Sequence, residues 1–238
     1  MPKTKIEWCD YTINPVKGLC PMACSYCYAR RMYKRFNWNP EIRYNPKVML
    51  ESATLPGGSR VFVGSTMELF GKHIKDAWLK DTFYIAKRCP WITFIFLTKQ
   101  PQNLIKWSPF PGNCWVGVTA TNGRMVDDAG YYLAQVEAKV KFLSIEPLLE
   151  PIHLYFGKPG IDWVLIGAQT NPYKPPEISW LREIVEATDK MGIPVFLKHN
   201  LRPLLIPEDC SKPNYLTEDI FWASEKAQLR QEMPSLRG

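Results

Sequence analysis

Short apolar runs that stop at small or polar residues recur along the chain, and segments of helical spacing follow several of them. Residues 60–66, 91–98, 114–119, 140–146, 162–167 and 193–198 read as strands, rich in Val, Ile, Phe and Trp. The clearest is Trp91-Ile-Thr-Phe-Ile-Phe-Leu-Thr98, bounded by Pro90 and Pro101. Helices are predicted over 74–87, 125–136 and 179–191; in the last, Ser179 is the expected N-cap and Gly192 the stop. With a first strand ahead of residue 20, the count is about seven.

Near-continuous apolar strands alternating with helices predict parallel strands covered on both faces. The expected fold class is α/β, a full or partial (β/α) barrel of six to seven parallel strands. Residues 1–206 form this barrel domain, and residues 207–238 a C-terminal extension with one short helix over 217–229. Polar residues gather where the strands end: Ser65-Thr66, Thr98-Lys99, Thr119 with Thr121-Asn122, Ser144 with Glu146, Gln169-Thr170 and Lys198-His199. In a barrel these ends meet on the face that carries active sites. Strand ends that are polar only because they reach water are the plainer alternative.

Composition narrows the class without naming a function. The 238 residues, 46% hydrophobic and 22% charged, suit one large α/β domain and exclude collagen-like or wholly disordered chains. No apolar run approaches the roughly 18 residues that span a bilayer. The amino terminus lacks the apolar stretch of a secretory signal, so a cytoplasmic protein with no membrane partner is expected. The net charge of +7 is concentrated: residues 1–48 hold nine basic and three acidic side chains. Tyr26, Tyr28, Tyr33, Phe36, Trp38 and Tyr44 interleave with those cations. Cations for phosphates and rings for bases are the physics of single-stranded nucleic-acid binding. A basic stretch that merely offsets a negative cofactor beside it is the competing explanation.

Four of the seven cysteines (Cys9, Cys89, Cys114, Cys210) stand singly and read as small buried residues. The other three form Cys20-Pro-Met-Ala-Cys24-Ser-Tyr-Cys27. Thiolates this close repel one another, so something positive should hold them. Zinc would need a fourth ligand, from Cys9 or one of the distant histidines His73, His153 and His199. A [4Fe–4S] cluster on three thiolates would leave one iron open.

The spacing Cys20-x3-Cys24-x-aromatic-Cys27 after a first barrel strand resembles the signature of radical S-adenosylmethionine enzymes. Glu7-Trp8, Asn14-Pro15, residues 61–70, Leu97-Thr-Lys-Gln-Pro101, Val116-Gly-Val-Thr119 and Phe142-Leu-Ser-Ile-Glu-Pro-Leu-Leu149 resemble a phage- and bacterium-associated branch of that superfamily whose function is largely unassigned. The run Gly64-Ser-Thr-Met-Glu68 departs from the superfamily's Gly-Gly-Glu pattern. The resemblance implies that Cys20, Cys24 and Cys27 ligate three irons and that S-adenosylmethionine chelates the fourth. One electron would then release methionine and a 5′-deoxyadenosyl radical. Tyr26 would pack beside the cluster, with Ser65, Thr66 and Glu68 at the methionine amine. Thr119, Thr121 or Asn122 would meet the ribose, and Lys99 or Lys198 the methionine carboxylate. It also implies a reductant protein such as a flavodoxin or ferredoxin.

Glu146 points by register toward the strand-end face, where it would bind ribose or substrate or relay a proton; an ion pair with lysine is its structural alternative. His199 reads as a hydrogen-bonded wall residue. Cys9 or Cys114 as a hydrogen-atom donor is weighed against an inert buried thiol. The favoured substrate is a nucleic acid or nucleotide, ahead of another small molecule or a peptide. Two rival readings are a zinc-stabilised, non-catalytic nucleic-acid-binding module and an electron carrier with a permanently ligated cluster.

Overall fold

Runs of β-branched and aromatic residues become strands, and each amphipathic run after them becomes a helix. The computed structural model describes residues 1–154, 160–205, 219–224 and 228–235. In chain order these form β1 (Tyr11–Ile13), β2 (Val16–Lys17), α1 (Tyr28–Phe36), β3 (Arg43–Tyr44), α2 (Lys47–Glu51), β4 (Arg60–Val63) and α3 (Asp76–Lys87). Then follow β5 (Thr93–Thr98), β6 (Cys114–Thr119), α4 (Gly123–Leu133), β7 (Val140–Ile145), β8 (Trp163–Ile166), β9 (Gln169–Thr170) and β10 (Tyr173–Lys174). The chain continues through α5 (Ile178–Lys190), β11 (Val195–Leu197), α6 (Arg202–Leu205), β12 (Trp222–Ser224) and β13 (Gln228–Leu229).

The fold is α/β. One seven-stranded sheet runs β1-β4-β5-β6-β7-β8-β11, with β1 and β11 at its ends, so the sheet is open. The pairings of β1 with β4, β4 with β5, β5 with β6, β7 with β8 and β8 with β11 are all parallel. No described helix is long and apolar enough to cross a membrane.

The chain makes two compact units, Met1–Val118 with Gln135–Val140, and Thr119–Ala134 with Lys141–Gly238. In the first, Phe70, Phe83, Phe96 and Phe110 meet at ring-centroid distances of 5.1–6.4 Å. In the second, Phe142, Trp163 and Phe196 do the same at 5.5 and 5.9 Å. Each such ring buried contributes roughly 1.5–3 kcal/mol.

Two expected details differ. Ser179 is not the cap of α5: Glu177 takes the extended N-cap position, and Ser179 lies inside the first turn. Gly192, at φ +64°, follows the helix end as expected. The helix expected over 217–229 is not what the described part of that stretch forms. Asp219–Phe221 make one 3-10 turn, and β12 pairs antiparallel with β13. Phe221, Trp222 and Leu229 are buried there, and that burial overrides the helical propensity of the segment. Thr217 and Cys210 lie outside the described residues. A short helix, α6, does stand near the C-terminal end, but at Arg202–Leu205, ahead of the expected extension.

Candidate functional site

The three-cysteine segment occupies the loop between β2 and α1. β2 is pinned by antiparallel pairing with β3 (Val16 to Tyr44, Lys17 to Arg43). Gly18 follows at φ +133°, and a Cβ there would stand 2.6 Å from Glu41 O, so no larger residue fits. Ala23 adopts a left-handed φ of +50° between the first two cysteines, a strained conformation for a residue with a Cβ. Cys27 is the N-cap of α1: its sulfur accepts from Arg30 N–H at 3.4 Å, and its own N–H donates to Cys24 O at 3.1 Å.

Cys20, Cys24 and Cys27 are free thiols, each half-buried. They line one small cavity, partly open to solvent, with Leu19, Met22, Ala23, Ala29, Arg30, Tyr33 and Thr66. The Arg30 guanidinium donates to Cys20 O at 2.8 Å. Burial pushes the Cys20 thiol up, against the opposing pull of the Met22 and Glu68 backbone N–H groups. Among the described residues, no three His, Cys, Asp or Glu side chains gather on a single metal ion. Three thiols spread around one walled cavity beside a cation are a donor set suited to an iron–sulfur cluster.

A hydrogen-bonded network holds the loops around this cavity. Asn14, just after β1, accepts at Oδ1 from Thr66 N–H (3.1 Å), Thr66 Oγ1 (3.0 Å) and Ser65 Oγ (3.3 Å). Tyr28 OH donates to Ser65 O at 2.9 Å. Thr66 therefore reaches the cavity wall, while Ser65 belongs to the network that fixes it. Glu68 is 6% exposed and fully engaged: Oε1 accepts from Thr98 Oγ1 (2.6 Å) and Phe70 N–H (3.1 Å), and Oε2 from Lys99 N–H (2.7 Å). The Lys99 ammonium lies 5.8 Å over the Tyr26 ring, bringing those two expected residues together. Gln100 Nε2 lies 3.0 Å from Met22 Sδ and ties the end of β5 to the cysteine loop.

Sequence reasoning missed three members of this network. Asn14 entered only as part of a family-like motif, Met22 only as a residue between cysteines, and His73 only as one of several distant candidates for a fourth zinc ligand. His73 lies close enough to feel the Glu68 carboxylate, but burial dominates and pulls its pKa down. Its Nε2 is buried with no partner among the described residues. A histidine five residues after Glu68 was the available signal.

The second unit carries the remaining expected residues. Thr119 is buried, and Asn122 caps α4 by accepting Met125 N–H at 2.9 Å. Glu146 Oε2 pairs with Lys198 Nζ at 2.8 Å, the ion pair its register allowed. Gly167 leaves room for them: a Cβ there would be 3.0 Å from Lys198 Cδ and 3.4 Å from Glu146 Cγ. Asn200 clamps Ala168 through both its N–H (3.0 Å) and its carbonyl (2.7 Å). Glu146 Oε1 and Ser144 Oγ are buried without a hydrogen-bond partner among the described residues. His199 is exposed, at the start of the 3-10 turn after β11. Cys9 and Cys114 are buried, and burial pushes the Cys114 thiol up to about 12.

These features define a parallel α/β protein with a three-thiol loop between its first strand and first helix. The chain belongs to the family described as "Protein of unknown function (DUF5131)", whose model matches residues 3–201. Comparison with curated proteins and with solved structures gave no match.

Proposed function

We propose that this chain is a radical S-adenosylmethionine enzyme, in which Cys20, Cys24 and Cys27 hold a [4Fe–4S] cluster and the substrate is a nucleic acid or nucleotide. What supports this most is the meeting of three free, half-buried thiols around one cavity at the start of α1. A cubane takes its anchors on three different irons, so its thiolates need not converge on one point. When bound, the cluster supplies the electron that cleaves S-adenosylmethionine; a flavodoxin or ferredoxin is the proposed donor.

The chain's own residues supply position and shielding. Arg30 lines the cavity and offsets thiolate charge. Cys27 is oriented by the first turn of α1. Thr66, held by Asn14, offers a hydroxyl to the methionine amine, and Lys99, with its backbone fixed by Glu68, offers a compact cation to the methionine carboxylate. Glu68 itself, with both oxygens engaged, works as the clamp of this arrangement. In the second unit, Lys198 holds Glu146 in place through Oε2, and Glu146 Oε1 has no hydrogen-bond partner among the described residues.

Anaerobic reconstitution with iron and sulfide tests the reading. A brown protein should form and, with dithionite and S-adenosylmethionine, release 5′-deoxyadenosine. Cys24→Ala should lose both colour and product while keeping its circular dichroism. One equivalent of zinc without iron would replace this reading with a zinc-stabilised binding module, unfolded by chelators. A coloured protein that forms no product would replace it with an electron carrier.

A further inference from the structure

Helix α1 carries four cations and no acidic residue. They divide by position. Arg30 lines the cavity and donates to Cys20 O, a position from which its guanidinium would offset thiolate charge. Lys34 and Arg35 are exposed in the last turn, about 6–7.5 Å further along the helix at 1.5 Å per residue. Charge offset at the thiols gives no reason for cations there.

What accompanies them is a pair of rings. Phe36 and Trp38 are 52% and 42% exposed, yet they stack on each other at 5.6 Å and 23°. The turn that makes this possible is built in. Asn37 takes the left-handed conformation at the helix C-cap, and both its N–H and that of Trp38 return to Tyr33 O. Trp38 is thereby set edge-on against Tyr33 at 5.3 Å and 85°. Arg35 lies over the Phe36 ring at 5.3 Å. Tyr33 closes the connection inward: its hydroxyl accepts Gly18 N–H at 2.8 Å and its side chain helps wall the three-thiol cavity.

We infer that Phe36 and Trp38, flanked by Lys34 and Arg35, form a docking platform for single-stranded nucleic acid that leads through Tyr33 to the cavity of Cys20, Cys24 and Cys27. Half-exposed, oriented rings offer π-faces to unstacked bases, and neighbouring cations on a helix that carries no acidic residue meet phosphates. A duplex buries its base faces in its own stack and loses the ring contacts. The inference deepens the proposed function and depends on it only for the fate of the strand after docking.

Fluorescence anisotropy with a short labelled oligonucleotide, as DNA and as RNA, tests it on the full-length reconstituted protein. Single strands of at least one kind should bind in a salt-dependent way and more tightly than the matching duplex. Trp38→Leu, which keeps an apolar contact with Tyr33, should weaken binding about tenfold at unchanged salt slope. Trp38→Phe should recover most of that loss. Arg35→Gln should lower the slope of log K against log salt by about one. Absence of binding at low salt, or equal binding by wild type and Trp38→Leu, overturns the platform. Preference for anionic phospholipid vesicles with the same Trp38 dependence also overturns it, in favour of a lipid surface. Release of 5′-deoxyadenosine, followed in parallel, keeps the two proposals separable: product without strand binding rejects the platform alone, and strand binding without iron rejects the radical chemistry alone.

Discussion

Glu68 in the first unit and Glu146 in the second are both carboxylates that follow a strand, and they are treated differently. Glu68 has both oxygens occupied by Thr98, Phe70 and Lys99. Among the described residues, Glu146 gives one oxygen to Lys198 and keeps the other buried without a partner, in the same unit as the unpartnered Ser144 hydroxyl. A buried acceptor or donor left unmade costs about 1–3 kcal/mol. The first arrangement spends its polar atoms on fixing loops. The second leaves polar atoms unpaired among the described residues.

The sharpest break in this contrast is Glu68→Ala. It strands the Thr98 hydroxyl and two backbone N–H groups, and should lower stability by about 4 kcal/mol in urea unfolding. A loss below about 1 kcal/mol would mean that the clamp is dispensable. Lys198→Met comes next, at about 2 kcal/mol, because it leaves the Glu146 charge partly buried and unpaired. Adding Glu146→Gln should restore most of that loss, and failure to do so would place the effect in packing rather than charge. Ser144→Ala should raise stability by about 1 kcal/mol, since it removes a buried hydroxyl with no partner and breaks no protein hydrogen bond. A large destabilisation there would reveal a partner for the hydroxyl and erase the distinction between the two units.

Much of the scaffold was legible because strands such as Thr93–Thr98 and Trp163–Ile166 are written in consecutive apolar residues, which only two-sided burial explains. The cysteine loop was legible because three thiols within eight residues are improbable as packing. The support around it was not. Asn14 meets Thr66 across 52 positions, and Gln100 meets Met22 across 78. Nothing in local periodicity encodes such pairings. The start of α5 shifted because Glu177 is extended after Pro175 and Pro176, so the helix begins at Ile178, ahead of the serine that looked like its cap. The C-terminal strands escaped notice for a related reason: residues 219–224 and 228–229 have helical composition, but their apolar side chains are claimed by tertiary burial.

The tail has a further consequence for how the molecule keeps to itself. β11 is the last strand of the main sheet, and its outer side is not left bare. Leu197 N–H donates to Arg230 O at 2.7 Å, Glu232 N–H to Val195 O at 3.0 Å, and Phe196 bridges Gln231 antiparallel. Arg230 is moored in turn to Asp189 and Glu232. An unsealed strand of this apolar character is a template onto which another chain can add. Residues 230–232, beyond the stretch the family model matches, work as a hem on the fabric and deny a neighbouring copy its first stitch.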